Sequence, residues 1–249
     1  SIFVELFKKG DVIEDLRPNI YDPVEGTTIA DAEVERLPRK TKLVDVRWTC
    51  EDGTELVIST TRPEMICACG VVVVHPEDER YSHLVGQKVT LPLETNGREK
   101  TVNIMTHPSV KSDFGTGILM VCSFGDQNDV AVFRELGLTP FQAIDLDGKM
   151  TDVAGPFAGM KVIEARNAAI EALETQGDLV QAVERNQDIP VSERGKNPVE
   201  IILLKEWYVR QTHIQEKMKE HVDEIEFHPP RNRQFLLDWM DNISIDWPI

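Results

Sequence analysis

From Thr41 onward, apolar and polar positions alternate with a period of two, in segments rich in β-branched residues. Leu43–Trp48, Glu55–Ser59, Gly70–His75, Lys88–Pro92, Lys100–Met105 and Ile118–Ser123 each read as strands. Asp52-Gly53 and Asn96-Gly97 supply hairpin-type turn signals. Strands this short and closely spaced imply a barrel or curled sheet rather than repeated strand–helix–strand units. Helical spacing then takes over. Asp126–Leu136 gathers Val130, Phe133 and Leu136 on one face and stops at Gly137, and Lys161–Gln176 repeats apolar positions before Gly177. Leu203–Val222 and Gln234–Met240 are expected to be helical, parted by His228-Pro229-Pro230. Residues 1–35, with turn signals at Arg17-Pro18-Asn19 and Asp22-Pro23, read as a loop-rich arm. The expected fold class is mixed α/β, a β-barrel-like core with peripheral helices and extended flanking arms. Its segments would be a connecting arm at 1–40, a core at 41–185 and a C-terminal connecting and helical segment at 186–249.

Composition narrows the function classes. The chain has 249 residues, 41% hydrophobic and 28% charged, which excludes a disordered or fibrous chain. The longest apolar run, Cys67–Val74, is far short of the ~20 residues of a membrane span. No basic segment followed by an apolar one suggests a signal peptide. The sequence lacks an initial Met and stops at Asp246-Trp247-Pro248-Ile249, so it is expected to be a piece of something longer. Its net charge of −16 argues against a nonspecific DNA or membrane binder, which would gain affinity from Lys and Arg. Charge is uneven: Ser1–Glu35 has nine acidic and three basic residues, Arg36–Arg47 five basic and one acidic. That basic stretch reads as a solvated strand edge. Cys50, Cys67, Cys69 and Cys122 sit in apolar surroundings without a C-x-x-C pair, which points to burial in a reducing cytoplasm and to no metal site.

Three stretches are chemically dense. Ser59-Thr60-Thr61-Arg62-Pro63-Glu64 ends a strand with two hydroxyls and a guanidinium, able to grip a carbonyl, a water or a phosphate, or simply to terminate the strand. Asp113-Phe114-Gly115-Thr116-Gly117 places two glycines before a strand, as a turn or as a close backbone approach to a ligand. In Gly125-Asp126-Gln127-Asn128-Asp129, Asp126 is placed as a helix N-cap and Asp129 falls in the first turn. Those carboxylates can serve the helix alone, or the same field can hold one ionised against a substrate ammonium. His75 reads as structural. No histidine has a hydroxyl or thiol at nucleophile spacing, and no P-loop or dinucleotide fingerprint occurs.

In this order the stretches resemble the editing insertion of class I aminoacyl-tRNA synthetases. Thr60-Thr61-Arg62-Pro63-Glu64 is similar to that family's T-T-R-P-E-T segment, and Phe114-Gly115-Thr116-Gly117 with Asp126 and Asp129 to its F-G-T-G … H-D-x-x-D segment. His75-Pro76-Glu77-Asp78-Glu79-Arg80-Tyr81, Thr28–Val34 and Pro198-Val199-Glu200 point to the valine branch, and Ile245–Ile249 looks like the strand re-entering the catalytic domain. Isoleucine enzymes would show T-T-P-W-T where this chain has TTRPE. The chain departs from the commoner bacterial pattern at Met65, where a Thr is expected, and at Met120 and Gly125, which replace a Lys and a His. Asp22/Glu25 and Ser192/Gly195 stand where family members often carry zinc-binding cysteine pairs, a pattern that looks archaeal and implies no zinc.

The resemblance implies hydrolysis of the ester of threonine mischarged onto valine tRNA. Asp129 would bind the α-ammonium, with Thr60 and Thr61 orienting the ester and a water. Asp126, Phe114, Gly115, Thr116 and Cys122 would complete the substrate pocket, Phe114 as a wall or stacked on adenine. Arg62 would hold the terminal phosphate or ribose. Arg39 and Lys40, with the rest of Arg36–Arg47 and Arg231/Arg233, would touch the tRNA backbone. No metal or cofactor is implied for editing; ATP and Mg would belong to the full-length parent. The implied partners are the tRNA 3′ end, the threonine moiety and the remainder of the synthetase chain, with neither DNA nor membrane, in the cytoplasm. A leucine- or isoleucine-type editing site, or a non-catalytic module binding the tRNA end, are the alternative readings.

Overall fold

The structure, a computed structural model, describes residues 1–112, 115–241, 243 and 246–249. In chain order its helices are α1 (Ile2–Lys9), α2 (Gln127–Glu135), α3 (Val162–Gln176), α4 (Gln215–Glu220) and α5 (Asn232–Asp241). Its strands are β1 (Val12–Asp22), β2 (Thr27–Thr28), β3 (Val34–Cys50), β4 (Glu55–Thr60), β5 (Cys69–Val74), β6 (Lys88–Thr90), β7 (Thr101–Thr106), β8 (Ile118–Cys122), β9 (Leu179–Ser192), β10 (Glu200–Val209) and β11 (Trp247–Pro248). Two compact units result, Pro18–Ile202 and a smaller one of Ser1–Arg17 with Leu203–Ile249. The arm expected at residues 1–40 is shared between them. Among the described residues no helix is long and apolar enough to cross a membrane.

The larger unit is built on a seven-stranded sheet of order β4-β3-β6-β7-β5-β8, with β9 also on β3. Its two end strands, β4 and β8, lie against each other, so the sheet curls into a half-barrel. The mixed α/β class and the barrel-like core expected from the sequence are both present. β3 and β4 form the hairpin signalled by Asp52-Gly53, with Gly53 at φ 85°. β5 is apolar throughout because both its faces are covered. Val72 and Val74 enter the main core with Trp48, Ile58, Ile104 and Leu173, while Val71 and Val73 pack with Val121, Val132 and Phe133 under α2. Gly70 lets α2 come this close: a Cβ there would stand 2.4 Å from the Phe133 ring. α3 buries Ala165, Ala169 and Leu173 toward the turn Pro63–Ala68 and ends at Gly177 in the left-handed region.

β9 runs antiparallel to β3 from Val34↔Ser192 to Val46↔Leu179, as a largely exposed ribbon. The Arg36–Arg47 stretch is therefore half of a two-stranded ribbon rather than a bare edge. In the smaller unit, β10 lies between β1 and β11. α1 sets Phe3 and Phe7 edge-on against Trp207 at 5.5 and 5.6 Å. Two expectations need correction. Leu203–Val222 begins as strand, because Ile-Ile-Leu-Leu is a short apolar run that periodicity cannot assign; only Gln215–Glu220 within it is α-helical. Residues 1–35 are not loop-rich but hold α1 and the whole of the eleven-residue strand β1, α1 being closed by Lys8, Lys9 and a left-handed Gly10.

Candidate functional site

β4 ends in the threonine pair. The Thr60 hydroxyl accepts the Arg62 N–H at 3.0 Å, turning the chain into the Pro63–Ala68 helical turn, whose residues are all buried. The Thr61 hydroxyl is left without a partner among the described residues. Across from it, β8 runs through Cys122 into a tight corner where Phe124 takes φ 58°, uncommon for a bulky residue. The corner is held by Gly125 N–H on the Cys122 carbonyl and by Ser123, which donates its N–H to Ala68 and accepts one from Phe141. Asp126 then caps α2 as expected, its carboxylate accepting the Asp129 N–H at 2.8 Å.

Asp129 points back over this corner. Its Oδ2 accepts the Cys122 N–H at 3.1 Å and lies so close to Gly125 that a Cβ there would be 2.3 Å away. Burial pushes its pKa up to about 8; the Asp126 charge adds to this, and the Cys122 N–H and Arg62 pull the other way. The absence of the family's histidine at Gly125 thus has a steric counterpart, since the carboxylate occupies the space a side chain would need.

A buried ion network stands behind the site. Arg62 donates to Glu64 through Nε at 3.1 Å, to the Gly125 carbonyl through Nη1 at 3.2 Å and to Glu200 through Nη2 at 2.8 Å. Arg166, on α3, closes a two-pronged pair on Glu64 at 2.9 and 2.7 Å. The Glu64 side chain is completely buried, and burial pushes it up, but the two guanidiniums outweigh this and keep it ionised. Two cations and two anions balance, and each carboxylate of the network is paired, the condition for tolerating charges out of water. Glu64, Arg166 and Glu200 were not singled out from the sequence as site residues; partners 102 and 138 positions apart leave no spacing signal.

Other expected residues are placed as follows. Gly115 packs on Ser59 and Gly117 on Arg80 and Asp78, so the His75–Tyr81 segment buttresses the Gly115–Gly117 turn, with Tyr81 donating its hydroxyl to the Thr116 carbonyl at 2.7 Å. The Thr116 Oγ1 is buried and has no partner among the described residues. Phe114 lies outside the described residues. Met65 and Met120 are buried and belong to the main core, and the Cys122 thiol is raised by the Cys69 thiol beside it and by burial. Arg39 and Lys40 are exposed on the β3–β9 ribbon. Val44, which pairs with Thr60, is five residues from Arg39, roughly 17 Å of strand, so the ribbon cations stand apart from the cluster. His75 accepts the Glu77 N–H, a structural role.

The positions of the family's zinc ligands do meet in space. Asp22 accepts Ser192 Oγ at 2.7 Å and Asn197 Nδ2 at 3.1 Å on one oxygen, and the Val24 and Glu25 N–H groups on the other. Burial pushes the Asp22 carboxyl up, but these donors prevail and hold it below the usual carboxylate range. A Cβ on Gly195 would be 2.5 Å from Glu25 Oε1. Zinc does not fit: the thiolates are gone, and the carboxylate's lone pairs are already taken. Among the described residues no group of three or more His, Cys, Asp or Glu is arranged to hold a metal ion.

Comparison with known proteins matches the whole chain, residues 1–249, to the family described as tRNA synthetases class I (I, L, M and V). The chain belongs to that family. Among its relatives, the valine–tRNA ligases of Aeropyrum pernix, Methanopyrus kandleri and Nanoarchaeum equitans are 41%, 42% and 40% identical to it. The matches cover 100%, 99% and 99% of this chain but 30%, 28% and 32% of those proteins. The chain therefore spans about a third of the length of the synthetases it resembles. The valine branch and its archaeal character, read from the short motifs, agree with these relatives.

Proposed function

We propose that this chain is the editing part of a valine–tRNA ligase, hydrolysing the ester between threonine and the terminal adenosine of valine tRNA. The observation that carries the reading is the Asp129 carboxylate, held over a glycine at a helix N-terminus beside the threonine-rich end of β4, in a chain whose relatives are valine–tRNA ligases. A synthetic pocket for valine rejects the isosteric threonine by only about 10²-fold, so a second, hydrolytic site is needed. Asp129 takes the α-ammonium, the one full charge on the amino-acid moiety. Thr61, with a hydroxyl uncommitted among the described residues, orients water toward the ester carbonyl, and Thr60 fixes the turn that presents it. Water oxygen bonds to the carbonyl carbon, the bond to the ribose oxygen breaks, and that oxygen receives the proton. Positioning rather than a strong general base supplies the rate.

Arg62 has three of its five N–H donors committed inside the protein, so we assign it to holding the site rather than gripping a phosphate. Arg39 and Lys40 contact the tRNA backbone at a distance from the ester. The test is deacylation of threonyl- and valyl-tRNA(Val) by the enzyme carrying this chain, with Asp129→Ala alongside. Faster loss of threonine than valine, abolished by the substitution, is the expected result. Binding of the tRNA end without cleavage would reduce the domain to a non-catalytic module.

A further inference from the structure

Arg62 is shared. One edge of its guanidinium holds the Gly125 carbonyl, on whose Cα the Asp129 carboxylate rests; the others face Glu64 and Glu200. Glu64 is committed twice over, since Arg166 claims both of its oxygens. Glu200 is different. It is buried at the start of β10, and Arg62 is the partner that its carboxylate pairs with. Of the two anions on Arg62, Glu200 is thus the one whose charge is not divided with a second guanidinium.

We propose that Glu200 is a positioning residue for Asp129: by docking Arg62 on the Gly125 carbonyl and neutralising it there, it sets how much positive charge Asp129 feels when it receives a substrate ammonium. This rests on the editing reading above. The charged and titratable groups facing Asp129 are Asp126 on its own helix, the Cys122 thiol on β8, and Arg62 after β4 with Glu64 and Glu200 behind it. Asp31, tied to α2 through Gln127, adds a negative charge on the outer side. Arg62 is the cation in this set that favours ionised Asp129, and Glu200 partly cancels it. Glu200→Gln keeps the shape and the hydrogen-bond acceptor while removing the cancelling charge, so Asp129 ionises at lower pH.

The experiment is the pH profile of kcat/KM for threonyl-tRNA(Val) deacylation by the enzyme carrying this chain, as wild type, Glu200→Gln and Glu200→Asp. The acid limb should move to lower pH in Glu200→Gln by roughly half a unit, the scale of one charge acting across a partly solvated gap. It should return toward the wild-type position in Glu200→Asp, which restores the charge. A merely structural role predicts equal loss of kcat in both variants with the limb unmoved, and that result overturns the inference while leaving the editing reading intact. A wild-type enzyme that does not deacylate overturns both.

Discussion

Gly125→Ala separates the geometry of the site from the stability of the fold. Gly125 does not lie in the left-handed region, so its backbone accepts an L side chain without strain, and alanine would narrow the unfolded ensemble by about 0.4–1 kcal/mol. The added Cβ, however, would sit 2.3 Å from Asp129 Oδ2 and 3.4 Å from the Cys122 Cβ. The carboxylate is the mobile partner and must swing away by about 1 Å to reach ordinary contact. It then gives up the Cys122 N–H now held at 3.1 Å, and an unmet buried donor costs about 1–3 kcal/mol. The gain offsets part of this cost, leaving a net loss of roughly 0–2.6 kcal/mol. Catalysis has no such offset, since a displacement of about 1 Å in a positioning group costs about 10²-fold. We expect threonyl-tRNA(Val) deacylation to fall by about that factor in kcat/KM, with a thermal midpoint only a few degrees lower. Wild-type kcat/KM in Gly125→Ala would refute the idea that Asp129, in this pose, anchors the substrate. Gly125→His, which restores the commoner family motif, should fail for the same steric reason.

Asp129 also makes stability depend on pH. Its folded value of about 8 lies above the ordinary 3.8, so the native chain keeps a proton that the unfolded chain releases, and stability falls as pH rises between those values. Asp129→Asn should therefore match wild type near pH 4 and gain in thermal midpoint up to about pH 8; a gain that shrinks with rising pH would contradict this. Glu64→Gln leaves two buried guanidiniums short of a counter-charge and should cost about 3–5 kcal/mol in urea unfolding, whereas a loss under about 1 kcal/mol would mean the network is solvated. EDTA should leave the thermal midpoint unchanged, because Asp22 joins the two segments through its bonds to Ser192 and Asn197. Asp22→Ala should lower it, by about 1–3 kcal/mol of stability for each donor left unmet, and a chelator-sensitive melt would defeat the reading.

The half-barrel was legible because its strands other than β9 have one wet and one dry face or, like β5, an apolar run rich in β-branched residues. α2 and α3 were legible through their ends: Asp126 at the start of one, Gly177 at the finish of the other. β9 was not. Its residues stand in solvent on both sides of the ribbon, so Val-Gln-Ala-Val-Glu-Arg-Asn-Gln carries no alternation to read. β10 failed in the opposite way, since Ile-Ile-Leu-Leu suits a buried strand and a helix alike. At the site, the roles written in local spacing could be read, such as the Asp126 cap and its first-turn neighbour Asp129. The Arg62 network could not, because its meaning depends on α3 and β10 arriving from far along the chain. Glu64 stood in plain sight within Thr-Thr-Arg-Pro-Glu, yet nothing local says that a carboxylate there will be fully buried between two arginines.

The β3–β9 ladder has a topological consequence. Val46 and Leu179 stand side by side at one end of it, and Val34 and Ser192 at the other. To everything beyond that far end, the whole half-barrel is one long loop with its two feet clamped together. Closing such a loop becomes only about 0.6 kcal/mol harder with each doubling of its length. The insert can grow, shrink or be exchanged for a hairpin turn with little penalty to the scaffold that carries it, provided the rungs remain. A domain mounted in this way is a detachable cassette, free to change its chemistry without renegotiating the architecture of the ladder that carries it.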